Sequence, residues 1–180
     1  MIGIVKKEVD QMENDYRNGN WWYDLKFDDT EESPFVGIIS AIADKKYMIG
    51  NEAAMFLPDE YITRGTFASV IRNILTNNKT LNFKDTREYD NQFTDIDDLW
   101  NKNDIIKMYT LEFVDESVAK TYRPNDNLTK EEAVIILNKL YGYNEGDFEH
   151  MKTLYDIAPY KDIADTYWAF EDIVRATIGL

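Results

Sequence analysis

At 180 residues the chain is long enough for one domain with a sizeable core, or for a few small repeats sharing one. Its 20 Lys and Arg against 34 Asp and Glu leave a net charge of −14, which argues against nucleic acid as a partner, because phosphate binding rests on clustered cations. The absence of cysteine excludes a disulfide scaffold, a thiolate metal site and a thiol nucleophile, and no run of about 18 apolar residues is present to span a bilayer.

In chain order, residues 3–17 predict a helical segment with Ile4, Val5, Val9 and Met12 on one side. Met1 to Asp10 is too short and too charged for a secretory signal. Trp21 and Trp22 follow, and then a Tyr-Asp pair opens a unit at Tyr23-Asp24, returning 66 residues later at Tyr89-Asp90 and again at Tyr155-Asp156. Each opening leads to an aromatic-x-Asp element, Phe27-Asp28-Asp29, Phe93-Thr94-Asp95 and Tyr160-Lys161-Asp162, the third one residue late. A first helix is expected next. In unit one Ser33 and Pro34 predict a cap and a proline at the first helical position, with Phe35, Ile38, Ile39 and Ile42 at core spacing. Unit two carries Trp100, Ile105 and Met108 at the same stage, and unit three Trp168, Ala169, Ile173 and Ala176. Asp95 and Asp162 are expected to cap the helices of units two and three, with Trp100 and Trp168 packed beneath on the buried face.

The connecting stretches Tyr47 to Pro58 and Phe113 to Pro124 alternate apolar and polar residues, which allows a brief extended piece but no sheet. They lead to the strongest repeat. FLPDEYITRGTFASVIRNIL, Phe56 to Leu75, returns 66 positions on as YRPNDNLTKEEAVIILNKLY, Tyr122 to Tyr141. The apolar set Phe67, Ala68, Val70, Ile71, Ile74, Leu75 comes back as Ala133, Val134, Ile136, Leu137, Leu140, Tyr141, the stripe of an amphipathic helix. Thr63 and Thr129 stand where an N-cap hydroxyl accepts a first-turn N–H. Glu132 completes a capping box in the second copy, whereas Thr66 leaves the first copy with half of one.

The residue after each cap is a cation, Arg64 and Lys130, although positive charge at a helix N-terminus costs about 0.3–1 kcal/mol. Free N–H groups and a cation converging on one point suit a carboxylate or phosphate. Ion pairing with a nearby acid such as Glu60 or Asp126 is the alternative. If the cations serve a ligand, replacing either by alanine is expected to weaken retention and leave the melting temperature nearly unchanged.

Taken together, aromatic-x-Asp, tryptophan, a proline-containing loop, Thr-Arg and an amphipathic helix resemble the S-layer homology family over about residues 23–180. FTDIDDLWNKNDIIKMYTLEF followed by YRPNDNLTKEEAVIILNKL is similar to one such module almost throughout. The resemblance implies a mainly α fold, with repeated helix-loop-helix modules packed about a pseudo-threefold axis. It also implies a non-catalytic anchor outside the cell, in the cell wall or S-layer, binding an anionic, often pyruvylated, secondary cell-wall polysaccharide in grooves between modules. Carried over by motif, the implied ligand-binding residues are Thr63, Arg64, Thr129, Lys130, Asp29, Asp95, Asp162, Trp100 and Trp168. Departures matter: unit one has Gly65-Thr66 where the family usually has Ala-Glu, Lys130 offers a point charge in place of a planar fork, and the third Thr-Arg element is absent. At most two grooves are left.

The resulting division is an N-terminal helical segment at 1–22, modules at 23–86 and 87–153, and the first half of a third at 154–180. The chain is expected to form part of a longer surface polypeptide. A structural or protein-interaction module that has lost glycan binding is the alternative. No cofactor or metal is expected, since Asp28-Asp29 and Asp95 to Asp98 lack the alternating acids and central glycine of a calcium loop. No enzyme is expected either, since His150 lies in a polar connector without a serine motif to serve.

Overall fold

Among the described residues, five apolar stripes at helical spacing become five helices. The computed structural model describes residues 27–51, 53–77, 91–114, 120–142, 160, 162–164 and 166–178. The segment expected at 3–17, Trp21, Trp22, the Tyr-Asp openings and His150 lie outside the described residues. The helices are α1 (Val36–Asp44), α2 (Arg64–Asn77), α3 (Lys102–Thr110), α4 (Lys130–Tyr141) and α5 (Phe170–Ile178). The fold is therefore mainly α, as expected. Among the described residues no strand forms, and the sole β-like contact is an isolated antiparallel bridge between Thr63 and Asn127.

The sequence period is also a period of backbone geometry. α3 begins and ends 66 residues after α1, and α5 begins and ends 68 after α3. Lys46 and Glu112 both take left-handed φ, 58° and 60°, where the first helix ends. Leu57 and Arg123 do the same at 60° and 58°, each costing about 1 kcal/mol that its surroundings must offset. Their offset is again 66, so the bends belong to the repeat and not to chance.

What offsets those bends is the aspartate of the aromatic-x-Asp element. The Phe56 and Leu57 N–H groups donate to the Asp29 carboxylate at 2.9 and 2.6 Å. In unit two the Tyr122 and Arg123 N–H groups donate to Asp95 at 2.9 and 2.8 Å. Phe27 packs on Phe56 with ring centroids 5.3 Å apart, and Phe93 on Tyr122 at 5.4 Å. This corrects the expectations that Ser33 and Pro34 start the helix of unit one and that Asp95 caps the helix of unit two. The helices begin at Val36 and Lys102 with Phe35 and Asn101 as caps that make no side-chain bond, and the acids reach 27 residues forward to pin the loop before the second helix. Asp162 is exposed and pins no loop among the described residues.

Each second helix packs on the first helix of the following unit, α2 on α3 and α4 on α5. The main core lies at the first of these joints, where Ala68, Ile71 and Leu75 of α2 meet Ile105, Ile106 and Met108 of α3, closed by Ile136 of α4. A polar clasp marks each joint. Asp104 accepts from Ser69 Oγ at 2.7 Å and from Arg72 Nε at 2.9 Å, and the Asn138 amide donates to the Asp172 carboxylate at 2.8 Å. Arg72 and Asn138 are 66 apart, and Asp104 and Asp172 are 68 apart.

Among the residues expected on core faces, Ile38 of α1 is 43% exposed, and three more lie outside the core altogether. Phe35 is 61% exposed, and Trp100 and Trp168 are 75% and 66% exposed. All three sit in the turn before a first helix, one or two residues ahead of the first buried position, so they point past the core rather than into it. Ala176 is exposed as well, and α5 buries Phe170 and Val174 instead. Thr30 and Ser40 fill buried places that Ile96 and Ile106 occupy in unit two, which leaves unit one with the smaller cluster of Phe27, Ile39 and Ala43.

Asp95→Ala is expected to destabilise the chain by about 1–3 kcal/mol in urea titration, because two amide donors lose a charged acceptor. Partial desolvation pushes the Asp29 carboxyl up, but the Phe56 and Leu57 N–H groups outweigh it and hold it below its usual range. Its contribution is then complete above the ordinary carboxylate pKa of about 3.9 and is lost as pH falls through the lower folded value. Melting temperature measured against pH below about 4 should fall less steeply in Asp29→Asn than in the unaltered chain.

Candidate functional site

The start of α2 is where two units meet. Thr63 caps it, accepting the Thr66 N–H at 3.2 Å and donating its own hydroxyl hydrogen to Thr66 Oγ1 at 2.9 Å, so a threonine fills the half-empty capping box. In α4 the full box forms: Thr129 Oγ1 accepts the Glu132 N–H at 3.3 Å, and Glu132 Oε2 accepts the Thr129 N–H at 2.9 Å.

At the head of α2 the first free N–H groups are taken. The Arg64 N–H donates to the Asp126 carbonyl and the Gly65 N–H to the Pro124 carbonyl, both at 2.9 Å, while the Leu128 N–H returns a bond to the Ile62 carbonyl at 3.0 Å. Unit two's loop is therefore plugged onto unit one's helix end. Gly65 allows this approach, since a Cβ there would stand 2.9 Å from Asn101 Nδ2 and 3.0 Å from the Pro124 carbonyl oxygen.

Arg64 is 4% exposed, so it is not the solvent-facing cation that its sequence position suggests. Its guanidinium pairs with Glu132, donates from Nε to the Tyr122 carbonyl at 3.0 Å, and lies 4.9 Å from the centre of the Tyr122 ring. The partner is neither Glu60 nor Asp126. Glu132 also faces the half-exposed Arg123, whose Nη2 is 3.6 Å away and whose Nη1 is 3.7 Å from Asp126. Sequence inspection finds Glu132 as a capping residue only. Its pairing with a residue 68 positions away, and the parts played by Tyr122 and Arg123, leave no local pattern.

The second junction is built differently. Thr129 and Lys130 are exposed, and Lys130 makes no ion pair or side-chain hydrogen bond among the described residues. Its neighbour Glu131 accepts a hydrogen bond from the Tyr167 hydroxyl of unit three. That bond, with some burial, pushes the Tyr167 hydroxyl above its ordinary pKa. Trp168 follows, its ring centroid 6.1 Å from that of Tyr167. Lys130 and Trp168 thus stand one residue to either side of a single inter-unit contact. At the first junction Trp100 and Arg64 flank the Asn101–Gly65 contact in the same way.

The structure therefore brings Thr63 and Arg64 to one junction and Thr129 and Lys130 to the next, while Trp100 and Trp168 are exposed in the turns before α3 and α5. Asp29 and Asp95 stand behind the loops, and Asp162 lies apart. Among the described residues no group of three or more His, Asp or Glu is placed to hold a metal ion, and no helix is long and apolar enough to cross a membrane.

Comparison with known proteins adds the following. The S-layer homology domain family matches residues 26–68 and 92–134. The chain is 23% identical over 155 residues to the cellulosome-anchoring protein of Acetivibrio thermocellus, covering 86% of this chain and 33% of that protein. It is 28% identical over 127 residues to cell surface glycoprotein 1 of the same organism, covering 68% of this chain and 5% of that protein. It is also 28% identical over 120 residues to the amylopullulanase of Thermoanaerobacterium thermosulfurigenes, covering 66% of this chain and 6% of that protein. The chain spans a third or less of the length of these relatives. No solved structure matches it.

Arg64→Ala is expected to lower stability by about 3 kcal/mol in a denaturant melt, because it strands the Glu132 carboxylate and the Tyr122 carbonyl. Lys130→Ala should change it by less than about 0.5 kcal/mol.

Proposed function

Residues 26–68 and 92–134 are S-layer homology domains, and from that premise we propose that the chain is a non-catalytic anchoring module of the cell surface. Its ligand in this proposal is an anionic secondary cell-wall polysaccharide, pyruvylated as in the family, held in the two grooves between units. The observation that carries the proposal is the repeated family match, with proteins named for cellulosome anchoring and for the cell surface among the relatives. The amylopullulanase resemblance fits the same role, since the shared stretch is 6% of that protein and the premise assigns it to the anchoring family rather than to catalysis.

Roles follow from exposure. Lys130 and the half-exposed Arg123 meet the ligand's negative charge, and Trp100 and Trp168 offer apolar faces to its rings. Arg64, buried and paired with Glu132, holds the joint beside the first groove and leaves the ligand's charge to Arg123 there. Thr63 and Thr129 set the helix starts, while Asp29 and Asp95 set the loops. The modules are taken as 23–86, 87–153 and the half module 154–180, within a longer surface polypeptide.

The test is co-sedimentation with purified cell wall stripped of protein, before and after removal of its secondary polymer. Retention should need the polymer. Lys130→Ala and Trp168→Ala should each weaken it roughly 5- to 30-fold, a loss of about 1–2 kcal/mol, with the melting temperature unchanged within a few degrees. Retention that survives removal of the polymer would favour the protein-interaction alternative.

A further inference from the structure

We propose that Tyr167 is a positioning residue of the second groove: by holding the Glu131 carboxylate it leaves Lys130 open to an anion. This rests on the reading above, in which Lys130 meets the charge of a cell-wall polymer. Lys130 opens α4 with acids at the next two positions, Glu131 and Glu132. In so acidic a turn a lysine loses pull on an anion, because a nearby carboxylate either competes for it or repels the ligand. Here both acids are committed elsewhere. Glu132 accepts the Thr129 N–H through one oxygen and takes the Arg64 guanidinium with the other. Glu131 accepts a hydrogen bond from the Tyr167 hydroxyl, in the turn before α5. That bond, with some burial, holds the hydroxyl above its ordinary pKa of 10.0, so Tyr167 stays a neutral donor through the neutral and mildly alkaline range.

The first junction shows that this contact is not a property of the repeat. Gly65 stands 66 residues before Glu131, and Leu99 stands 68 before Tyr167, the offsets that relate α2 to α4 and α3 to α5. Neither side chain can make the bond. Gly65 instead lies against the Asn101 amide and the Pro124 carbonyl. The disposal of charge differs accordingly. At the first junction the cation is buried and an acid is spent on it. At the second the neighbouring acid goes to a phenol, and the cation stays exposed. Two junctions of one repeat thus differ in the positive charge they can offer, and the Tyr167–Glu131 bond is found only where the cation is on offer.

Co-sedimentation with protein-free cell wall that carries its secondary polymer reads the effect, with Tyr167→Phe, Glu131→Gln and the double variant compared at low and high salt. Tyr167→Phe removes only the hydroxyl and should weaken retention roughly threefold at low salt, because the released carboxylate competes for Lys130. Glu131→Gln should strengthen retention by a similar factor, and the double variant should bind like Glu131→Gln alone. These differences should shrink in high salt, which screens exposed charges. A bond that merely held the joint would weaken retention in both single variants, in step with their melting temperatures, and that result would overturn the proposal. So would equal retention by the parent and all three variants. Either outcome leaves polymer-dependent retention and its loss in Lys130→Ala in place, whereas retention that survives removal of the polymer would overturn the underlying reading and this proposal with it.

Discussion

The carboxylate of Glu132 is the point on which the arrangement of the first two units depends. One oxygen closes the capping box of α4 and the other takes the buried Arg64 guanidinium from the preceding unit. A helix start, a joint between repeats and the setting of the Tyr122 loop therefore share one group. Such a pair is a weak source of net stability, because taking both charges out of water consumes most of their attraction. Its value is in specifying which helix start meets which loop, since any slip of register leaves an arginine buried alone.

That arrangement also settles the puzzle of a cation at a helix N-terminus. The charge on Arg64 does not face the helix dipole undiluted, because Glu132 neutralises it and Tyr122 offers both a carbonyl and a ring face. Lys130 occupies the equivalent place beside two first-turn acids, Glu131 and Glu132, which serve the helix directly. The two cations look alike in sequence and differ in duty. The proposed binding role therefore bears most on Lys130, while the chain's surface stays strongly acidic around it. An acidic polymer would have to be captured at short range, through local donors, against a repulsive field.

The helices, their period and the caps of the second helices were legible because they are written in local patterns: a stripe of apolar residues, a threonine, a glutamate three residues on. The first-helix faces were less legible. Trp100 and Trp168 share the spacing of a buried stripe, yet lie in a turn just ahead of it, and composition cannot tell the two apart. The aspartates misled in a similar way. A carboxylate a few residues before a helix ordinarily reads as its cap, and nothing nearby announces that it serves amides 27 residues on. Of the proposed binding junctions, the motif residues were found and the partners of Arg64, Glu132 and Tyr122, were not, since those contacts join residues 68 and 58 positions apart.

Two kinds of stitch alternate along the molecule. Asp29 and Asp95 tie the front of a unit to its own loop, and the α2–α3 and α4–α5 joints tie the back of that unit to the front of the next. Neither the boundary between repeats nor the middle of a repeat is a seam. Load applied at one end of the described chain would be shared along it, and no module can be peeled away without first tearing its neighbour's core. Such interlocking favours failure all at once at high force over gradual unravelling at low force.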